Sequence, residues 1–434
     1  MFLSKLNSKY KAIAAYQRQD YLSAIKYSQK ALRKTPQDIE LLLLIGNTYY
    51  MQQKYSEAAK YYQQIINLQP DNYQAIINCA EAFLWQHKYS DILPYISALK
   101  DDYYADFLSA KISFEKEDFI AAEQYLQTAL NKHQNNAWVW NLLSQVAQKN
   151  THYTLALEAG FQAVERGGGD VAHQLNLAYC IYEIGSEKGA DFVVSILQKW
   201  YQKYPQSAIA QQCYFSFFPD PKFCKSNLQY VKDVFDNFAD SFEQTLSDLS
   251  YQVPQEIGKE IRKIYPSNYR QKIRILDIGC GTGLCAPIID SIFPKHHLDG
   301  VDISSQMLVF AKQKHIYKKL INADVEEYFS RCCNVYNLCV AADVFTYFGD
   351  LKKVFFGVAN SLKKDGVFIF SITKLDSQIS DWQQHISGRF LHAKKYIKKE
   401  LSENGFSNIK FTSTILLTEG KKNVQGWIVS AIKK

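Results

Sequence analysis

The sequence predicts two folds in series, an all-α solenoid over residues 1–205 and an α/β domain with a seven-stranded, Rossmann-like sheet over 234–434. Three observations carry this prediction. A helical pattern repeats with an offset of 34 residues in the first half. From Lys272 onward, short apolar strands alternate with helix patterns, as in an open parallel sheet. Between the two, "ILDIGCGTGLCAP" at 275–287 ends a strand in an acid and a run of glycines, where the backbone must come close to a ligand.

The repeat comes first along the chain. "QDYLSAIKYSQKALRKTPQD" (19–38) and "QKYSEAAKYYQQIINLQPDN" (53–72) superpose, each with a small residue (Ala24, Ala58) seven before another apolar one (Ala31, Ile65) and a proline five later (Pro36, Pro70). Two helices cross at the small residues and the proline ends the second, because proline cannot continue a helix. This pattern resembles the tetratricopeptide repeat (TPR). Ala122 and Ala129, then Ala156 and Ala163, keep the spacing in later units, which begin near 5, 39, 73, 103, 137 and 171. The third unit is short and carries Pro94 inside its second helix, so it is degenerate. Such an array implies a groove for a protein or peptide. The first-helix positions read mostly Ile, Leu, Gln and Asn, which does not suit clamping a C-terminal carboxylate.

"FFPDPKFCKSN" (217–227) holds two prolines after the repeats, so residues 206–233 read as an exposed linker. Strands are then expected at 272–278, 298–302, 320–324, 336–344 and 366–373, with two more near 409–416 and 426–432 after a helix at 393–404.

The glycine segment decides the ligand. Gly279, Gly281 and Gly283 give G-x-G-x-G, and Leu284 stands where a dinucleotide fingerprint needs its third glycine. No G-K-[ST] follows, which excludes a phosphate-cradling P-loop. Asp302, ending the second strand, suits both hydroxyls of a ribose. Asp324, ending the third, suits an adenine amino group, and Asp277 would repel a pyrophosphate but attract an ammonium. Three carboxylates around one crevice suit S-adenosylmethionine (SAM).

"LDIGCGTG", "VDIS", "AD" and "AADVF" together resemble the class I SAM-dependent methyltransferases, over about 160 residues with every motif in order. The resemblance implies that Gly279, Cys280, Gly281, Thr282 and Gly283 approach the methionine moiety and that Asp277 holds its amino group. It also implies Asp302 on the ribose, Ile303 on the adenine face, Asp324 and Val325 at the adenine edge, and Ala341 and Asp343 beside the sulfonium. A narrower resemblance joins 234–254 and 387–406 to predicted bacterial methyltransferases with N-terminal TPR repeats, although Glu243 and Phe390 stand where that family favours Asp and Tyr. In that family the first segment would cap the crevice, here through Phe238 and Phe242.

Methyl transfer asks the protein for alignment, a dry pocket and, for some acceptors, a base. The candidates are Asp343, after the fourth strand, and His392, read as lying at a helix start. Tyr347 and Phe348 would wall the acceptor pocket. No asparagine-proline-proline-aromatic run or double-glutamate loop appears, which argues against methylation of DNA bases or of protein arginine.

Composition sets the remaining bounds. Nine scattered cysteines without a C-x-x-C pair support neither a disulfide framework nor a metal site. Net charge is +7, and residues 1–204 carry 20 Lys/Arg against 20 Asp/Glu, so the excess lies after them. Its densest run, "HAKKYIKKE" (392–400), reads as a solvated helix face, not a nucleic-acid surface. The N-terminus carries lysines through any would-be apolar core and no stretch approaches the ~18 apolar residues of a membrane span, so a cytoplasmic protein is expected. The functional expectation is a SAM-dependent methyltransferase whose array recruits a macromolecular acceptor, a protein. The alternative is a TPR adaptor whose methyltransferase domain acts on a small metabolite or only binds SAM.

Overall fold

The computed structural model describes residues 2–99, 102–220, 222–266, 269–376, 380–419 and 422–434; Pro221, part of the expected linker, lies outside them. The chain divides into two compact units, residues 1–169 and 170–434.

In the first unit, helices Phe2–Gln17, Ile39–Met51, Tyr73–Leu84, Tyr103–Glu115 and Ala137–Lys149 each pair with the helix that follows: Tyr21–Leu32, Tyr55–Leu68, Tyr89–Leu99, Phe119–Lys132 and Tyr153–Arg166. The expected unit starts at 39, 73, 103 and 137 coincide with helix starts. Each of these four helices opens on an Asp or Asn (Asp38, Asn72, Asp102, Asn136) whose side chain accepts from an otherwise unpaired first-turn N–H. Each pair turns on one residue in the left-handed region: Gln19, Gln53, His87, Glu117 and Thr151. The repeated alanines Ala24, Ala58, Ala122, Ala129, Ala156 and Ala163 are fully buried, where only a small side chain lets two helices approach. The third pair is short, at 12 and 11 residues, and keeps Pro94 within its second helix.

The second unit begins with helices Val171–Lys188, Ala190–Lys203 and Ala208–Phe217, continues through Leu228–Phe238, Phe242–Asp248 and Val253–Ile264, and then enters the sheet. Its strands are β1 (Ile273–Ile278), β2 (His296–Asp302), β3 (Lys319–Asn322), β4 (Tyr336–Ala341), β5 (Leu362–Thr373), β6 (Trp382–Gln384), β7 (Phe390–His392), β8 (Phe406–Glu419) and β9 (Lys422–Lys433). Seven form one sheet in the order β3-β2-β1-β4-β5-β9-β8, parallel through β5 and antiparallel beyond it. β6 and β7 make a separate hairpin that the apolar pattern did not reveal. Alternate residues feed two cores: Ile275, Leu338, Val340 and Ile369 on one face, Leu276, Cys339, Phe368 and Phe370 on the other.

The two compact units meet between Gly169 and Asp170, and the helix pair Val171–Lys188 and Ala190–Lys203, where a sixth repeat was expected, belongs to the second of them. The expected linker 206–233 contains one whole helix and the start of another, and the buried Gln212 side chain donates to the Gly388 carbonyl (2.8 Å) and to Ser226 Oγ (3.2 Å). Prolines near an element boundary mark a turn, but they do not show whether the flanking residues pack.

Candidate functional site

In this sheet the order of successive strands reverses between β1 and β4, a switch point at whose carboxyl ends open α/β sheets place their ligand crevice. The glycine loop after β1 forms its floor. Gly279, Gly281 and Gly283 have φ of +60°, +53° and +87°, a region where side chains with a Cβ are strained. A Cβ on Gly283 would also meet the Tyr317 ring at 3.0 Å. Cys280 N–H donates to Val301 O (3.1 Å), which ties the loop to β2. The Thr282 hydroxyl is buried and has no hydrogen-bond partner among the described residues.

The carboxylates sit around this loop. Asp302 accepts from Gly281 N–H and Ser304 N–H, both at 2.8 Å. Burial nevertheless pushes its pKa up to about 6, the two backbone donors and nearby Asp236 being weaker influences. Asp277 is buried and accepts from Tyr317 Oη at 2.7 Å. Burial pushes it up to about 7, against the lowering effect of the Tyr317 bond. Both are acids whose charge is penalised by burial, in a site where an ammonium or hydroxyls would favour the charged form. Asp324 lies two residues past β3 and not on it: its Oδ1 caps helix Val325–Phe329 through Glu326 and Glu327 N–H. Its Oδ2 pairs with Lys225. Ile303 is half-buried and its carbonyl accepts from Asn322 Nδ2 (2.8 Å), while the side chains of Val325 and Ala341 are buried in the main core.

Asp343 follows β4 at φ +55°, a strained position that aspartate tolerates better than most residues. Its N–H donates to Ser371 Oγ (2.8 Å) and its Oδ1 accepts from the same hydroxyl (2.7 Å). Burial raises its pKa, opposed by Ser371, by the Arg389 charge and by a hydrogen bond from Tyr251. His392 is not at a helix start in solvent. It ends β7, fully buried, and its Nε2 donates to the Gly349 carbonyl (3.1 Å). Burial pushes it down to about 4, so the imidazole is neutral and serves as a brace for the turn after β4. Trp382 braces the same turn, packing so closely that a Cβ on Gly349 would meet its ring at 2.6 Å.

The helices Leu228–Phe238 and Phe242–Asp248 bring an aromatic roof. Phe238 packs on Phe242 (5.5 Å between centroids), and Phe235 reaches Tyr347 (5.6 Å). Phe242 stands 3.8 Å from where a Cβ on Gly281 would lie. Asp236 accepts from Ser304 Oγ (2.6 Å), next to Asp302. Sequence reasoning missed Tyr317, Lys225 and Gln212, which sit in no local motif, and did not single out Asp236 and Tyr251 within 234–254, since each acts through a contact distant in sequence. Among the described residues, no three His, Cys, Asp or Glu are grouped to hold a metal ion, and no helix is long and apolar enough to cross a membrane.

Residues 270–405 match the family model described as a methyltransferase domain, and residues 15–76 match one described as a tetratricopeptide repeat. The chain thus joins a TPR region to a methyltransferase domain. A malonyl-[acyl-carrier protein] O-methyltransferase of Priestia megaterium is 30% identical over 147 residues, 33% of this chain and 52% of that protein. The malonyl-[acyl-carrier protein] O-methyltransferase 2 of Coxiella burnetii is 31% identical over 125 residues, 28% and 50% of the two chains. The chain therefore spans about half the length of the curated relatives it matches. Among solved structures, the magnesium protoporphyrin IX methyltransferase of Synechocystis with bound SAM aligns at 17% identity and a TM-score of 0.38, over 48% of this chain and 97% of that one, a likeness too low to carry weight.

Proposed function

We propose that this protein is a SAM-dependent methyltransferase whose repeat array recruits a protein acceptor. The observation that carries the cofactor assignment is Asp302: an acid at the end of β2, bonded to the glycine loop and raised to about 6 by burial despite its backbone donors. The two hydroxyls of a ribose would add donors that favour its charged form. The unpartnered Thr282 hydroxyl and the buried Asp277 extend the same need toward the methionine end. SAM, when bound, supplies a methyl group on a positively charged sulfur. The protein's part is to orient it, to exclude water with Phe235, Phe238, Phe242 and Tyr347, and to manage a proton where the acceptor carries one. Asp343, held by Ser371 and Tyr251, is the candidate base. His392 is assigned a bracing role, because its bonded Nε2 and buried ring keep it from an acceptor.

A protein acceptor is supported by the TPR region, a fold that presents a binding groove, and by relatives whose names give an acyl group carried on a protein. The second reading is a small metabolite as acceptor, with the array serving another partner. Incubation of the pure protein with radiolabelled SAM and fractionated cell extract separates them: label migrates with protein on the first reading and with small molecules on the second. For the cofactor, calorimetry with S-adenosylhomocysteine (SAH), the demethylated product, should show Asp302→Ala weakening binding by at least ~1.5 kcal/mol, the loss of hydrogen bonds to a charged acceptor. Wild-type affinity in that variant would sink the assignment. NADH is the control and should not bind.

A further inference from the structure

We infer that Lys225 is a positioning residue for the adenine end of the cofactor, and that residues 222–243 form a strap that must open to admit the cofactor and closes over it. The inference rests on the proposed SAM site and on the cap expected over 234–254, and it adds Lys225, which no motif marks.

Lys225 Nζ lies 3.3 Å from Asp324 Oδ2 and 2.7 Å from Glu326 Oε2. The Phe348 ring flanks it, 4.7 Å from centroid to nitrogen. The three charged side chains are only 24%, 16% and 29% exposed, so salt and water screen the cluster less than a surface pair. Asp324 is then held on both oxygens, Oδ1 by helix N–H groups and Oδ2 by the ammonium. Its carboxylate plane is fixed, which leaves defined lone pairs for the amino group of adenine. Without the lysine, Asp324 and Glu326 face each other as like charges and Asp324 loses the partner that fixes its second oxygen.

The backbone anchors the same residue to another strand end. Lys225 forms an isolated bridge with Phe348, and Ser226 N–H donates to the Tyr347 carbonyl at 2.9 Å. From there the segment reaches each strand end around the crevice. Asp236 takes Ser304 Oγ and Gln306 N–H after β2, Phe242 lies over the glycine loop after β1, and Glu243 pairs with Lys314 at 2.8 Å. A ligand seated on Asp302 and Asp324 lies beneath contacts that must break for it to leave.

The test uses the full chain and SAH, with binding read by calorimetry and dissociation by stopped-flow fluorescence. Lys225→Met keeps the apolar stem beside Phe348 and removes the charge. It should speed SAH dissociation and weaken affinity about tenfold, and Lys225→Arg should restore most of both. S-inosylhomocysteine, in which an oxygen replaces the adenine amino group, is the readout that a merely structural role would not move. The wild type should prefer SAH strongly, and Lys225→Met should shrink that preference. Equal weakening of both ligands, or unchanged dissociation, overturns the inference while leaving the cofactor assignment intact. If the wild type fails to bind SAH at all, the proposed function falls and this inference with it. Should Lys225→Met not fold, Glu326→Gln reads the same cluster: faster dissociation supports the strap, an unchanged rate overturns it.

Discussion

Asp277 and Asp302 are acids kept away from water, and the direction of their shifts makes a prediction about pH. Both have folded-state pKa values above the ordinary 3.8, at about 7 and about 6, with burial as the first cause. As pH rises from about 4 to about 7 the unfolded chain gives up these protons before the folded one does. The two groups therefore cost stability across that window and nothing further above it. A ligand that brings an ammonium and hydroxyls favours the charged forms, so binding should release protons near pH 6 and tighten as pH rises through 6 to 7. Calorimetry of SAH at pH 5.5, 7 and 8, in buffers of different ionisation heat, measures both effects. Tighter binding at pH 5.5 would contradict the assignment. Tyr317→Phe removes the hydrogen bond that lowers Asp277, so it should move the midpoint to higher pH.

At the scale of elements, the hairpin β6–β7 shows how the site's outer wall is held. Gln212, on helix Ala208–Phe217, is 1% exposed and donates to the Gly388 carbonyl just before β7. Gln212→Ala should cost about 1–3 kcal/mol in urea unfolding, since a buried carbonyl loses its donor. Gln212→Met should cost a similar amount, because it refills the volume without the hydrogen bond. A Met variant as stable as wild type would mean that only packing matters there. The same hairpin marks the limit of what the sequence discloses. The strands β1, β2, β4 and β5 were legible because their apolar runs are buried on both faces, and the helix pairs because their alanines recur at fixed spacing. Asp277, Asp302 and the glycines were legible because a strand-to-loop turn near a ligand restricts which residues fit. The hairpin has three-residue strands with mixed burial, too short for any periodicity, so His392 read as a helix start. Lys225 and Gln212 owe their roles to partners 99 and 176 residues away, which no local pattern encodes.

For the whole molecule, the question is why a methyltransferase domain carries some 170 residues of helical repeats ahead of it. The glycine loop, the carboxylates and the aromatic roof all lie within the second unit, as does Gln212, whose helix lies inside the expected linker. A chain beginning at Asp170 should therefore fold and bind SAH as the full protein does, whereas one beginning at Ser226 loses the Gln212 donor and should be less stable. A groove tethered to a catalytic crevice raises the acceptor's effective concentration, to about the millimolar range for a short connection. If the array recruits a protein acceptor, removing residues 1–169 should leave SAH affinity unchanged and raise the acceptor KM, with kcat preserved at saturation. Initial rates against the labelled acceptor, measured over a range of its concentrations, distinguish this from a catalytic defect, which would lower kcat as well. An unchanged KM would separate the array from acceptor capture. The crevice would then have to select its acceptor unaided, and a small metabolite would become the better reading.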